Sequence, residues 1–140
     1  MKRFLAVLVV AVLMVSAFAG CSGGAKYKDG DYSAKSTPDE RGNYSEVKIT
    51  IKDGKIATAN YQGYLKDGSA KDENYGKTDG KIENQDNYDK AQNALKGAAT
   101  YAPKLVETQD VSKVDTVAGA THAHDEFKEA VGKILEQAKK

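Results

Sequence analysis

Ser45-Glu46-Val47-Lys48-Ile49-Thr50-Ile51-Lys52-Asp53-Gly54-Lys55-Ile56 sets the architecture of this chain. Val47, Ile49 and Ile51 alternate with Glu46, Lys48 and Thr50, the period-two pattern of a strand buried on one face. Asp53-Gly54 is a dipeptide suited to a type I′ turn, which needs positive φ at both central residues. Lys55 to Tyr64 then resumes as a second strand, so the segment predicts a β-hairpin. Three further Asp-Gly dipeptides, at 29–30, 67–68 and 79–80, read as turn chemistry, because none has the acidic spacing of a calcium loop.

Outward from the hairpin, Tyr32 to Ser36 offers a further strand, while Leu65 to Gln85 is polar and turn-rich apart from Ile82. Helical spacing begins near Asp86 or Asn87, either of which suits an N-cap. Tyr88, Ala91, Leu95 and Ala98 fall on one face, and Pro103 is expected to end or reset that helix. Phe127, Ala130, Val131, Ile134, Leu135 and Ala138 follow helical spacing, with Glu126, Lys128, Glu129, Lys133 and Glu136 on the opposite face. The predicted class is α+β: a small twisted antiparallel sheet packed by two or three helices, ending in a C-terminal amphipathic helix.

The N-terminus is of another kind. Lys2 and Arg3 precede an apolar run from Phe4 to Phe18, long enough for a signal-peptide core and short for a membrane span. Residues 1–20 are read as a lipoprotein signal peptide. Phe18-Ala19-Gly20-Cys21 resembles a bacterial lipobox, with Phe where Leu is usual, which implies lipidation (a palmitate-bearing N-terminus) at Cys21. Residues 21–26 form a flexible lipidated tether, and residues 27–140 a single domain. Removing 20 of the 140 residues takes two of the 21 basic side chains and none of the 20 acidic ones, leaving a formal charge of −1. Such a balance gives no field to attract nucleic acid. Cys21 is the sole cysteine, so once acylated it leaves no thiol for a disulfide or a metal site. The expected location is the extracytoplasmic face of the cell membrane, held by lipid.

Between the helical regions lies Val114-Asp115-Thr116-Val117-Ala118-Gly119-Ala120-Thr121-His122. As a sequence it is a small-residue turn entering an amphipathic helix, with Thr121 near the helix start, where a hydroxyl can cap and anions are stabilised. His122 and His124, two apart on a helix, point in different directions and bring no third ligand with them, so no metal site is predicted.

Asp115 to Thr121 resembles the flavinylation motif of the FMN-binding domain family, Asp-x-x-Ser/Thr-Gly-Ala-Ser/Thr. Ala118 stands where Ser or Thr is more usual, which removes one hydroxyl but leaves the acceptor oxygen. The resemblance extends to Lys28-Asp29-Gly30-Asp31-Tyr32, to Val47–Ile56, to Tyr64–Tyr75, and to Thr121-His122 with Phe127-Lys128 and Ala130-Val131. It covers most of residues 27 to 138. It implies covalent FMN, esterified through its phosphate to the Thr121 hydroxyl by a flavin transferase that recognises Asp115. Gly119 and Ala120 complete the motif, and His122 is placed near the phosphate. The implied function is a lipid-anchored flavoprotein carrying electrons outside the cytoplasm (extracellular electron transfer), more a carrier than a stand-alone enzyme. A membrane quinol-linked redox partner would be the donor. The flavin does the electron chemistry while the protein binds and orients it, and the Tyr-rich composition offers rings for it to stack on. The alternative is a non-flavinylated lipoprotein of the same fold that binds a small ligand or a partner protein.

Overall fold

The computed structural model describes residues 26–140. The signal peptide, Cys21 and the tether up to residue 25 lie outside the described residues. The fold is α+β: three antiparallel strands, β1 (Gly30–Lys35), β2 (Tyr44–Lys52) and β3 (Lys55–Tyr64), form a sheet in the order β1-β2-β3. Helices α1 (Gln85–Ala98), α2 (Tyr101–Thr108) and α3 (Thr121–Gln137) follow, with one 3₁₀ turn at Val111–Lys113. Among the described residues no helix is long and apolar enough to cross a membrane.

The hairpin forms where the alternation places it. Asp53 and Gly54 have φ of 53° and 71°, the positive pair that a type I′ turn requires. The Asp29 carboxylate tightens this turn by accepting from the backbone N–H groups of Asp53 (3.0 Å) and Gly54 (2.9 Å). Ser45, Val47, Ile49 and Ile51 are buried on the inner face. A register shift between Thr50 and Ile51 sets Ile51 opposite Ile56, while Ile49 faces Ala59 and Val47 faces Tyr61. That one-residue irregularity keeps the apolar side chains of both strands inward on either side of it.

Helix α3 lies across β1 and β2, and α2 packs on β3. Phe127, Ala130, Val131 and Ile134 of α3 meet Leu105 and Tyr101 of α2 in one apolar core with the sheet. Fully burying one such aliphatic or aromatic side chain contributes about 1.5–3 kcal/mol, so α3 supplies a large share of the core's stabilisation. The N-terminal end of the domain is tied to the far end of α3. Tyr27 bridges to Lys139, and the Lys28 N–H donates to the Ala138 carbonyl at 2.8 Å.

Two helix boundaries differ from expectation. The N-cap of α1 is Asn84, two residues before Asp86, and its side chain accepts from the Asn87 N–H at 3.0 Å. Three closely spaced Asn/Asp candidates make such a choice illegible without the backbone. Pro103 neither ends nor resets α1; it sits in the first turn of α2, where a missing N–H costs no hydrogen bond. The break falls at Ala99-Thr100, before it. The segment from Leu65 to Asn84 is irregular, with isolated bridges Tyr64–Ala70 and Thr78–Lys81.

Candidate functional site

The segment 114–120 folds as an open turn that delivers Thr121 as the first residue of α3. Gly119 adopts φ +83°, a conformation that L side chains rarely adopt, and a Cβ there would meet nothing within 4 Å. Thr121 therefore does not cap the helix. The N-cap is Ala120, no side chain caps the helix start, and the Thr121 side chain is exposed. The first-turn N–H groups thus lack both intrahelical and side-chain acceptors, the usual setting for a nearby anion. Asp115 and Ala118 are also exposed.

Two buried side chains hold this turn: Tyr101, which the sequence did not single out, and His124, which it weighed only as a metal ligand. Tyr101, 1% exposed, accepts from the Val117 N–H at 3.1 Å and donates to the Ala120 carbonyl at 3.0 Å. His124 bridges the other end: Nε2 lies 2.6 Å from the Val114 carbonyl and Nδ1 lies 3.0 Å from the Thr116 hydroxyl. Nε2 donates to the Val114 carbonyl, which can only accept, and Nδ1 pairs with the Thr116 hydroxyl, which can serve as donor or acceptor. The Tyr101 and His124 rings contact edge-on, with centroids 5.1 Å apart. From below, Gly97 of α1 makes room for the turn; a Cβ at residue 97 would stand 2.9 Å from the Ala120 Cβ and 3.0 Å from a Val117 methyl.

His122 and His124 part as their spacing requires. His124 is buried in the clamp, whereas His122 is exposed and turns toward two carboxylates. Its Nε2 lies 3.2 Å from Glu126 Oε1, one helical turn along α3, and 3.5 Å from Asp39 Oδ2 in the β1–β2 connection. Glu126 is only 5% exposed, and Ser45 donates its hydroxyl to Oε2. The Tyr61 hydroxyl is 2.8 Å from the same Ser45 oxygen. Burial, partly offset by Ser45 and reinforced by the Glu126 charge, pushes the Tyr61 phenol up to about 12. Asp39 behaves oppositely. Burial pushes its carboxyl up, but N–H donors from Asn43 and Arg41, the Asn43 amide and His122 together hold it below the usual range.

Grooves open on both sides of His122. One, of about 580 Å³, is bordered by Asp39, Arg41, Asn43, Lys71, Tyr75 and His122. A smaller, more enclosed one runs from His122 past Gly119 and Ala120 to Tyr61 and Leu95. Lys71 and Tyr75 border both. Of the motif positions expected to act together, Gly119, Ala120 and His122 border the smaller groove, Thr121 lies exposed between the last two without lining either groove, and Asp115 is exposed at the other end of the turn. The sequence missed Tyr101 and Asp39 and set Glu126 on the polar face of the last helix, whereas it is buried against Ser45; only the i, i+4 spacing of His122 and Glu126 was there to be read.

No family model matches the chain, and no curated protein matches it. Among solved structures it resembles a crystal structure of a Clostridium perfringens protein, with 28% identity, a TM-score of 0.60, and coverage of 80% of this chain and 88% of that one. A solution structure from Clostridium thermocellum aligns at 26% identity and a TM-score of 0.47, covering 81% and 93% of the respective chains.

Proposed function

We propose that the protein is a lipid-anchored electron carrier bearing one FMN covalently attached to Thr121. The observation that carries this reading is the setting of the Thr121 hydroxyl. It is exposed at an uncapped helix start, behind an uncrowded glycine, at the end of a segment matching four of the five specified motif positions, and its neighbours Ala120 and His122 border a groove with two tyrosines.

The residues fit the group. Thr121 offers the acceptor oxygen, and the first-turn N–H groups of α3 would stabilise the single negative charge of a phosphodiester. Tyr61 and Tyr75 line the adjoining space, where aromatic faces suit a flat ring system. When bound, FMN supplies the one- and two-electron chemistry that this set of side chains lacks. Tyr101, His124 and Gly97 act on the protein alone, fixing the turn so that the hydroxyl is presented to a transferase. Asp115, exposed and free of hydrogen bonds to other described side chains, suits recognition in trans. Tyr27 and Lys28 pair with Lys139 and Ala138 at the C-terminal end of α3, whereas Thr121 begins the helix. A helix of 17 residues spans about 25 Å at 1.5 Å per residue, so the flavin would be carried well away from Tyr27 and Lys28.

The test is substitution at the acceptor. With a flavin transferase and FAD present, wild type should give a fluorescent band after denaturing electrophoresis. Thr121→Ser should retain fluorescence and Thr121→Ala should lose it. A fluorescent Thr121→Ala band refutes the site.

A further inference from the structure

We infer that Asp39, His122 and Glu126 form a binding site for one divalent transition-metal ion, with Zn²⁺ the best-matched probe. This inference is independent of flavin attachment. The three residues come from two elements, the β1–β2 connection and the first two turns of α3, and their ligand atoms lie within 4.8 Å of one another. In a tetrahedral site with metal–ligand bonds of about 2.0–2.1 Å, neighbouring ligand atoms stand roughly 3.3 Å apart. The pairs His122 Nε2–Glu126 Oε1 at 3.2 Å and His122 Nε2–Asp39 Oδ2 at 3.5 Å match that edge. One imidazole and two carboxylates are a donor set for zinc and its neighbours, not for an oxygen-only calcium site.

A second observation points to a missing ligand. Glu126 Oε1 is buried and accepts no hydrogen bond, because the His122 ring is near enough but not aligned to donate. Its other oxygen is taken by Ser45. A buried carboxylate oxygen without a partner is costly, and among the described residues no lysine or arginine pairs with Glu126 to offset it. A cation between Oε1, Nε2 and Oδ2 satisfies the oxygen directly. The supporting contacts are in place: Ser45 and Tyr61 orient Glu126, and Arg41 and Asn43 orient Asp39. Remaining coordination positions face the groove, where water would complete the shell.

The experiment is Zn²⁺ titration of the untagged, flavin-free full chain in detergent, by calorimetry and by competition with a chromogenic chelator. One ion per chain is expected, with affinity reduced at least tenfold in Glu126→Gln, His122→Gln and Asp39→Asn. Asp125→Asn, an exposed carboxylate on the same helix, should bind like wild type. His122 is two-thirds exposed, so His122→Gln keeps the fold even if Glu126→Gln does not, and circular dichroism checks both. No stoichiometric binding at about 10 μM Zn²⁺, or undiminished binding in a folded His122→Gln, overturns the site.

Discussion

Replacing Tyr101 with Phe removes one oxygen and leaves the ring, so it isolates the clamp on the motif turn. The hydroxyl serves two backbone groups, the Val117 N–H and the Ala120 carbonyl. The carbonyl keeps a second partner, because the His124 N–H also donates to it at 3.0 Å. The loss therefore falls on the Val117 N–H. A buried donor left unpaired costs about 1–3 kcal/mol, and Val117 is only partly buried, so water recovers some of that. The expected destabilisation is about 1–2 kcal/mol, or roughly 4–10 °C in Tm for a domain of this size. The ring contacts with His124 and Phe127 persist, so the loss should stay near the hydrogen-bond value and well below that of a core truncation. Urea unfolding of the full chain in detergent, followed by circular dichroism, gives the number. Flavin attachment should also slow, since the acceptor hydroxyl would be presented by a looser turn. A Tyr101→Phe variant as stable as wild type would refute the clamp.

Asp115→Ala should reduce flavin attachment while leaving Tm within about 1–2 °C, because this exposed side chain bonds to nothing in the domain; in-gel fluorescence and a thermal melt check the two halves separately. Cys21→Ser should abolish lipid modification and move the protein to the aqueous phase in detergent partitioning, and a lipid-modified variant would refute the anchor. Acid should expose the Glu129 contacts. Hydrogen bonds from Lys133 and Thr37 hold its pKa down from 4.5 to about 2, so its contribution is present above pH 4.5 and lost as pH falls through 2. Between pH 5 and pH 2, Glu129→Gln should therefore lose less stability than wild type, measured by urea unfolding at each pH.

The hairpin and α3 were legible because burial on one face writes itself into the period of the sequence. Val47, Ile49 and Ile51 read as a strand, and Phe127 to Ala138 as a helix, in agreement with the structure. Boundaries set by local competition were not legible. Asn84, Asp86 and Asn87 can each cap a helix, and only the backbone path selects Asn84. Pro103 looks like a stop until its place in a first turn is known. At the candidate site the sequence displays the motif residues themselves, contiguous from Asp115 to His122. It hides what holds them, because Tyr101 lies 16 residues before Val117 and reads as ordinary core. Asp39 is hidden for the same reason, meeting His122 only after the chain has passed through β2, β3 and two helices.

Covalent attachment of flavin to Thr121 is tested most directly by intact-mass spectrometry of the native chain, followed by peptide mapping. Purified after production with an active flavin transferase and sufficient FAD, the protein should be yellow and carry one FMN per chain. The added mass should lie on the peptide containing Gly119-Ala120-Thr121, and mild alkali should release it and leave dehydrated threonine at residue 121. A colourless chain with no flavin mass under those conditions, or a flavin mapped to any other residue, would contradict the account.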